Sequence, residues 1–326
     1  KLAVEHRAAP WVAAALATRP ELANRAPLAP LVQAGSMQAL GTLRLYAELD
    51  QLLQELNAAE VPVVVLKGPG VAQQFYPNRS LRPYGDLDLL INEQSLPTVT
   101  AMLERRGYAE KEGMGEAHRL HQCHGLFQRI FIHRAGDRVV EVHCDHLQIG
   151  LEPVGMDEIW ERATPARFGR GEARVLEPHD LFVQLAVHLH RHGFNRLIWF
   201  KDLDLIVRGQ DLDWQEVRER AARQGCLASV AQALRLLREM LGTPLPPGAL
   251  ALCDEQGWIS RKLQDLAWNR DDILSLRPQS RWRLRRAVQF APETGVLRGG
   301  LPSLLFVGRR RDKLRVLAAA TRGHRH

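Results

Sequence analysis

Read for the spacing of apolar and polar positions, the chain changes character twice. Through residues 1–58 apolar positions recur at helical intervals, and Pro10, Pro20, Pro27 and Pro30 punctuate them into two to four helices. The last, from about Gln38 to Ala58, sets Leu40, Leu43, Leu45, Leu49, Leu52, Leu53 and Leu56 largely on one face. It delivers the chain into Val61-Pro62-Val63-Val64-Val65-Leu66, a β-branched run that reads as a buried strand. Gly68 to Tyr76 then reads as a short helix, and Pro77 to Pro83 as a loop rich in turn residues.

A second strand covers about Gly85 to Ile91. Ser95-Leu96-Pro97 opens a helix that runs through Arg106 and stops at Gly107. Residues 125–133 and 138–146 form two apolar strands around Arg134-Ala135-Gly136-Asp137, which has hairpin length and turn chemistry. After Gly150 the helical period returns, broken by a strand-like Ala173-Arg174-Val175-Leu176 before Glu177-Pro178-His179-Asp180 opens a helix. Residues 179–242 hold three or four amphipathic helices, and Leu245 to Gly248 is a proline-rich joint. The pattern predicts an α+β protein: a small mixed sheet in a core of residues 59–150, an N-terminal helical region of residues 1–58, a helical domain of residues 151–276 and a C-terminal region of residues 277–326.

Composition narrows the class. The chain has 326 residues, 45% of them apolar, enough for a substantial core. No signal-peptide layout opens the sequence, and no apolar run approaches the roughly 20 residues that span a bilayer, so a soluble cytoplasmic protein is expected. Cys123, Cys144, Cys226 and Cys253 are far apart with no CxxC spacing, and reduced, buried cysteines are expected. The net charge of +7 is uneven: residues 277–326 carry 13 Lys/Arg against Glu293 and Asp312 only, which leaves the rest mildly acidic. Such a segment suits nucleic acid, acidic lipid or an acidic protein, although an ordinary solvated surface is the favoured reading.

The candidate chemistry lies in the first two strands and the hairpin. A strand that runs through Lys67 into Gly68-Pro69-Gly70 presents backbone N–H groups at a helix start, an arrangement suited to a triphosphate. Asp86 and Asp88, two residues apart, point from one face of the second strand. Two close carboxylates are costly unless a cation lies between them, and Mg²⁺ is the usual partner where phosphate is also bound. Glu141 shares a strand face with His143 and Asp145, while Val140, Val142 and Cys144 face the core. A polar face on a central strand belongs under a cleft.

In this order, Leu66-Lys67-Gly68, Tyr76-Pro77, Arg82-Pro83, Asp86-Leu87-Asp88-Leu89-Leu90 and Glu141-Val142-His143 resemble the bacterial uncharacterised nucleotidyltransferases of the DNA polymerase β-like superfamily. The resemblance extends through Leu176, Asp180-Leu181, His188 and Arg196 to Leu203, and covers about residues 40–210. It implies that the core of residues 59–150 is a nucleotidyltransferase fold using two Mg²⁺ ions, with Mn²⁺ as a substitute. Asp86, Asp88 and Glu141 would be the catalytic metal ligands. Lys67, Gly68, Gly70, Arg79 and Arg82 would bind the nucleotide, with ATP the expected NTP, and His143 would orient the acceptor beside Glu141. The chain departs from the wider superfamily at the phosphate turn, where Lys67-Gly68 replaces the common Gly-Ser and no hydroxyl is available.

The expected reaction moves an NMP group from an NTP to a small-molecule, protein or peptide acceptor and releases pyrophosphate. RNA as acceptor is one alternative, motivated by the basic C-terminal region, and a non-catalytic nucleotide-binding scaffold is another. The histidines invite a zinc reading, with His118, His121, Cys123 and His124, then His143, Cys144 and His146, then His188, His190 and His192, but no four-ligand spacing supports it. Asp202 and Asp204 diverge by about 200° on a helix, which disfavours a second metal pair. Asp202 is expected instead to cap the helical part or pack it against the catalytic core.

Overall fold

The computed structural model describes residues 1–23, 28–111, 129–147, 155–255, 268 and 270–275. His118, His121, Cys123 and His124, the start of the strand expected from 125, and the whole basic segment with its apolar stretch Leu301 to Val307 lie outside the described residues. Two compact units emerge. One comprises residues 45–70 and 85–177; the other gathers residues 1–44, 71–84 and the described residues from 178 onward.

The first unit is built on a seven-stranded mixed sheet. Its strands are β1 (Val64–Val65), β2 (Leu87–Leu90), β3 (Tyr108–Glu110), β4 (Arg129–His133), β5 (Val139–His143), β6 (Thr164–Phe168) and β7 (Gly171–Val175). Their spatial order is β3-β4-β5-β2-β1-β7-β6. β2 runs antiparallel to β1 and parallel to β5, and β1 is parallel to β7. The hairpin expected around Arg134 to Asp137 is present as β4 and β5, paired antiparallel.

All four residues of β2 are buried, as is the run Val63 to Leu66, because both strands sit inside the sheet. The helix Leu96–Arg105 begins with proline in its first turn and buries Val99, Met102 and Leu103. The apolar face of the 30-residue helix Ala29–Ala58 is shorter than expected: Leu49, Leu52, Leu53 and Leu56 are fully buried, but Leu40 and Leu43 are exposed.

The strand expected at Ala173 to Leu176 is present as β7, and the helical reading of the residues before it is corrected by β6, which forms an antiparallel pair with β7 at the end of the sheet. Thr164-Pro165-Ala166-Arg167-Phe168 lacks clear alternation, and its proline is tolerated because β6 is an edge strand. At Gly171 an added Cβ would lie 2.5 Å from Leu53 Cβ, so only glycine lets the pair sit this close to the long helix.

The second unit is helical, with Pro178–Arg191, Leu197–Gly209, Trp214–Arg223 and Leu227–Leu241 as its main helices. Phe182, Leu185, Leu189, Phe200, Leu203, Val217, Leu234 and Leu237 fill its core. The N-terminal residues are tied to it by His6, whose ring bonds Leu197 N at 3.2 Å and Leu274 O at 3.0 Å. Within this core His190 is 3% exposed, pairs through Nδ1 with Ser229 Oγ at 2.8 Å and stacks on Phe194. Burial pushes its pKa down to about 4.

Candidate active site

Register brings the candidate residues of the sheet unit together. In the parallel pair β2 and β5, Asp88 lies directly opposite Glu141, and Leu90 opposite His143. Residues two apart on a strand share a face, so Glu141 and His143 project to the side on which Asp88 lies. One ligand atom from each of Asp88, Glu141 and His143 falls within 4.8 Å of the other two. Next to them, Leu66 N donates to Asp88 O at 3.0 Å, so β1 ends level with Asp88 and the following residue, Lys67, stands beside it.

Lys67 has φ of 47°, a left-handed conformation unusual for a side-chain-bearing residue. There the chain leaves β1 and enters the helix Lys67–Phe75. Its Nζ donates to Asp88 Oδ1 at 2.5 Å and stands 3.9 Å from Glu141 Oε2. His143 Nε2 approaches the same Asp88 oxygen at 2.8 Å, and Glu141 Oε2 at 3.8 Å. Two donors thus converge on one oxygen of a carboxylate that is only 2% exposed.

The electrostatics divide the two acids. Burial alone would raise Asp88, but the Lys67 charge and the His143 hydrogen bond outweigh it and hold the carboxyl well below the usual carboxylate range. Glu141 is pushed up to about 8, first by burial and then by the Asp88 charge, with Lys67 opposing and the Asp86 charge adding to the rise. A half-buried carboxylate so raised is short of positive charge. Two carboxylates and an imidazole in mutual reach are therefore a donor set that fits a divalent cation.

Each expected residue can now be placed. Asp86 is half-buried just before β2; it is outside the tight group, though its charge is felt at Glu141. Gly68 and Gly70 are buried in the first turn of their helix. A Cβ on Gly70 would meet Val65 O at 2.5 Å, so this glycine lets the helix close onto β1. Arg79 is exposed in the short helix Arg79–Leu81 of the helical unit. Arg82, in the same unit, is 3% exposed and turned to Asp202, donating through Nη2 at 2.6 Å and Nε at 3.0 Å, while Nη1 donates to Pro83 O. Tyr76 OH completes this cluster with a 2.6 Å bond to Asp202 Oδ1.

Two contacts were absent from the sequence reading: Lys67 on the carboxylates, and His143 on Asp88. Both depend on strand neighbours that only the sheet order reveals, although the position of Lys67 at the end of a buried strand offered a hint. Among the described residues, Cys144, Cys226 and Cys253 form no disulfide; Cys226 and Cys253 are buried as expected, while Cys144 is half-buried. No described helix is long and apolar enough to cross a membrane.

Residues 1–242 match the family described as uncharacterised nucleotidyltransferase, and the chain belongs to that family. No curated protein matches the sequence. Solved structures similar to it include the antibiotic-resistance factor ANT(2'')-Ia, at 12% identity over 59% of this chain and 97% of that one, with a TM-score of 0.41. Another is an antigenic nucleotidyltransferase-like protein from Paracoccidioides brasiliensis, at 13% identity over 63% and 95% of the two chains, with a TM-score of 0.37.

Proposed function

We propose that this chain transfers an NMP group from an NTP, with ATP as the expected nucleotide, to an acceptor nucleophile in a reaction that depends on divalent cations. The observation that carries the reading is the meeting of Asp88, Glu141 and His143 around one point, with Glu141 short of positive charge. The acceptor oxygen forms a bond to the α-phosphorus as the bond from that phosphorus to pyrophosphate breaks, and the acceptor proton passes to solvent. Divalent ions held there would supply charge neutralisation for the leaving pyrophosphate and ease deprotonation of the acceptor.

The residues of the chain have separate tasks in this reaction. Asp88 and Glu141, with Asp86 at the entrance to β2, hold the cations. His143 fixes the Asp88 carboxylate and faces the acceptor side. Lys67, which donates to Asp88 Oδ1, would meet the triphosphate once a dication held by the carboxylates neutralised Asp88 in its place. The backbone of Gly68 to Gly70 lines the same turn. Within the helical unit Arg82 holds the loop that carries Arg79 through its bonds to Asp202.

A protein working inside the cell and free of membranes agrees with these substrates. The test is release of pyrophosphate from labelled NTPs across a panel of small-molecule, peptide and RNA acceptors. Transfer that requires both a divalent ion and one acceptor class supports the reading. Tight NTP binding without pyrophosphate from any acceptor would favour a nucleotide-binding scaffold instead.

A further inference from the structure

We propose that His143 is itself a metal ligand, and that it turns the centre toward a first-row transition-metal dication in preference to Mg²⁺. This rests on the proposed nucleotidyl transfer and adds the kind of ion to it. The imidazole belongs to the centre by position. It is 1% exposed, shares its strand face with Glu141, and sits one alternate position along β5 from the residue opposite Asp88.

The distances suit ligation. Ligand atoms on adjacent corners of an octahedral ion stand about 3 Å apart when metal–ligand bonds are about 2.1 Å. Nε2 of His143 is 2.8 Å from Asp88 Oδ1 and 3.8 Å from Glu141 Oε2, a spacing that one ion can close with small side-chain movement. In binding, Nε2 exchanges its hydrogen bond for the metal, and the neutral ring keeps its proton on Nδ1.

Chemistry then selects the ion. Mg²⁺ prefers a shell of oxygen and keeps its water, whereas imidazole nitrogen suits borderline transition metals, whose affinity for such sites exceeds that of the hard alkaline-earth ions. A site built only for Mg²⁺ needs no buried imidazole in ligand range of both acids.

The experiment uses Mn²⁺ as the probe on the full chain. Pulsed electron paramagnetic resonance of bound Mn²⁺ is expected to show ¹⁴N coupling that changes when the histidines are labelled with ¹⁵N. Calorimetry is expected to give at least tenfold tighter binding of Mn²⁺ than of Mg²⁺, and His143→Gln to narrow that ratio. The labelled wild-type spectrum keeps the test valid if the variant does not fold. Bound Mn²⁺ without nitrogen coupling overturns the ligand assignment and leaves the proposed transfer standing. Nitrogen coupling in a protein that releases no pyrophosphate does the reverse, and no Mn²⁺ binding at all overturns the assignment.

Discussion

Lys67 Nζ donates to Asp88 Oδ1 at 2.5 Å, so a side chain already neutralises the carboxylate on which the proposed chemistry depends. A dication that binds Asp88 must displace this ammonium. A charge-assisted hydrogen bond contributes roughly 1.5–3 kcal/mol net, so Lys67→Met should tighten divalent-ion binding by about ten- to a hundredfold. The same substitution should weaken NTP binding. Calorimetric titration of each ligand checks both, and unchanged or weaker ion binding would contradict this role for Lys67.

Arg82 and Asp202 form a buried pair, at 4% and 0% side-chain exposure, between residues 120 positions apart. Removing one partner leaves a buried charge uncompensated, and Asp202→Ala should cost about 3–5 kcal/mol of stability. Replacing both, as in Arg82→Met with Asp202→Leu, should recover much of that loss. Urea unfolding of the two singles and the double tests this, and additive losses would show that the pair is not coupled.

His190 should make the helical unit acid-sensitive. Its folded-state pKa of about 4 lies below the unfolded value of about 6.5, so above pH 6.5 both states are neutral and its contribution is constant. Between 6.5 and 4 the unfolded chain binds a proton that the folded one does not, and stability falls as pH falls. The loss should reach roughly 3 kcal/mol near pH 4. Unfolding curves at pH 7.5, 5.5 and 4.5 should show this slope, and His190→Gln should flatten it.

The sequence reading reached the parts of the fold that are local. β1, β2 and the β4–β5 hairpin followed from apolar runs bounded by turn residues, and the helix Leu96–Arg105 from its proline start and glycine stop. Tyr108–Glu110 and β6 escaped because they are short strands whose stability comes from neighbours in the sheet rather than from their own pattern, whereas the β-branched end of β7 marked it at Ala173 to Leu176.

The candidate site was legible as a set of residue types, since Asp88, Glu141 and His143, which the structure brings together, are each singled out by the sequence pattern. Their meeting depends on the parallel pairing of β2 with β5, which joins segments some 50 residues apart and leaves no periodic trace. The contact of Lys67 with Asp88 depends on the antiparallel pairing of β1 with β2, and that of Arg82 with Asp202 joins residues 120 positions apart in the helical unit, so neither leaves a local pattern either.

The most direct measurement compares pyrophosphate release from labelled NTP by the wild-type chain and by Asp88→Asn, with NTP binding followed in parallel. Asparagine keeps the size of the side chain and removes its charge. Loss of transfer by at least a hundredfold with NTP binding retained is the result the account predicts, in line with removal of a group that stabilises charge in the transition state. Undiminished transfer by Asp88→Asn would contradict it.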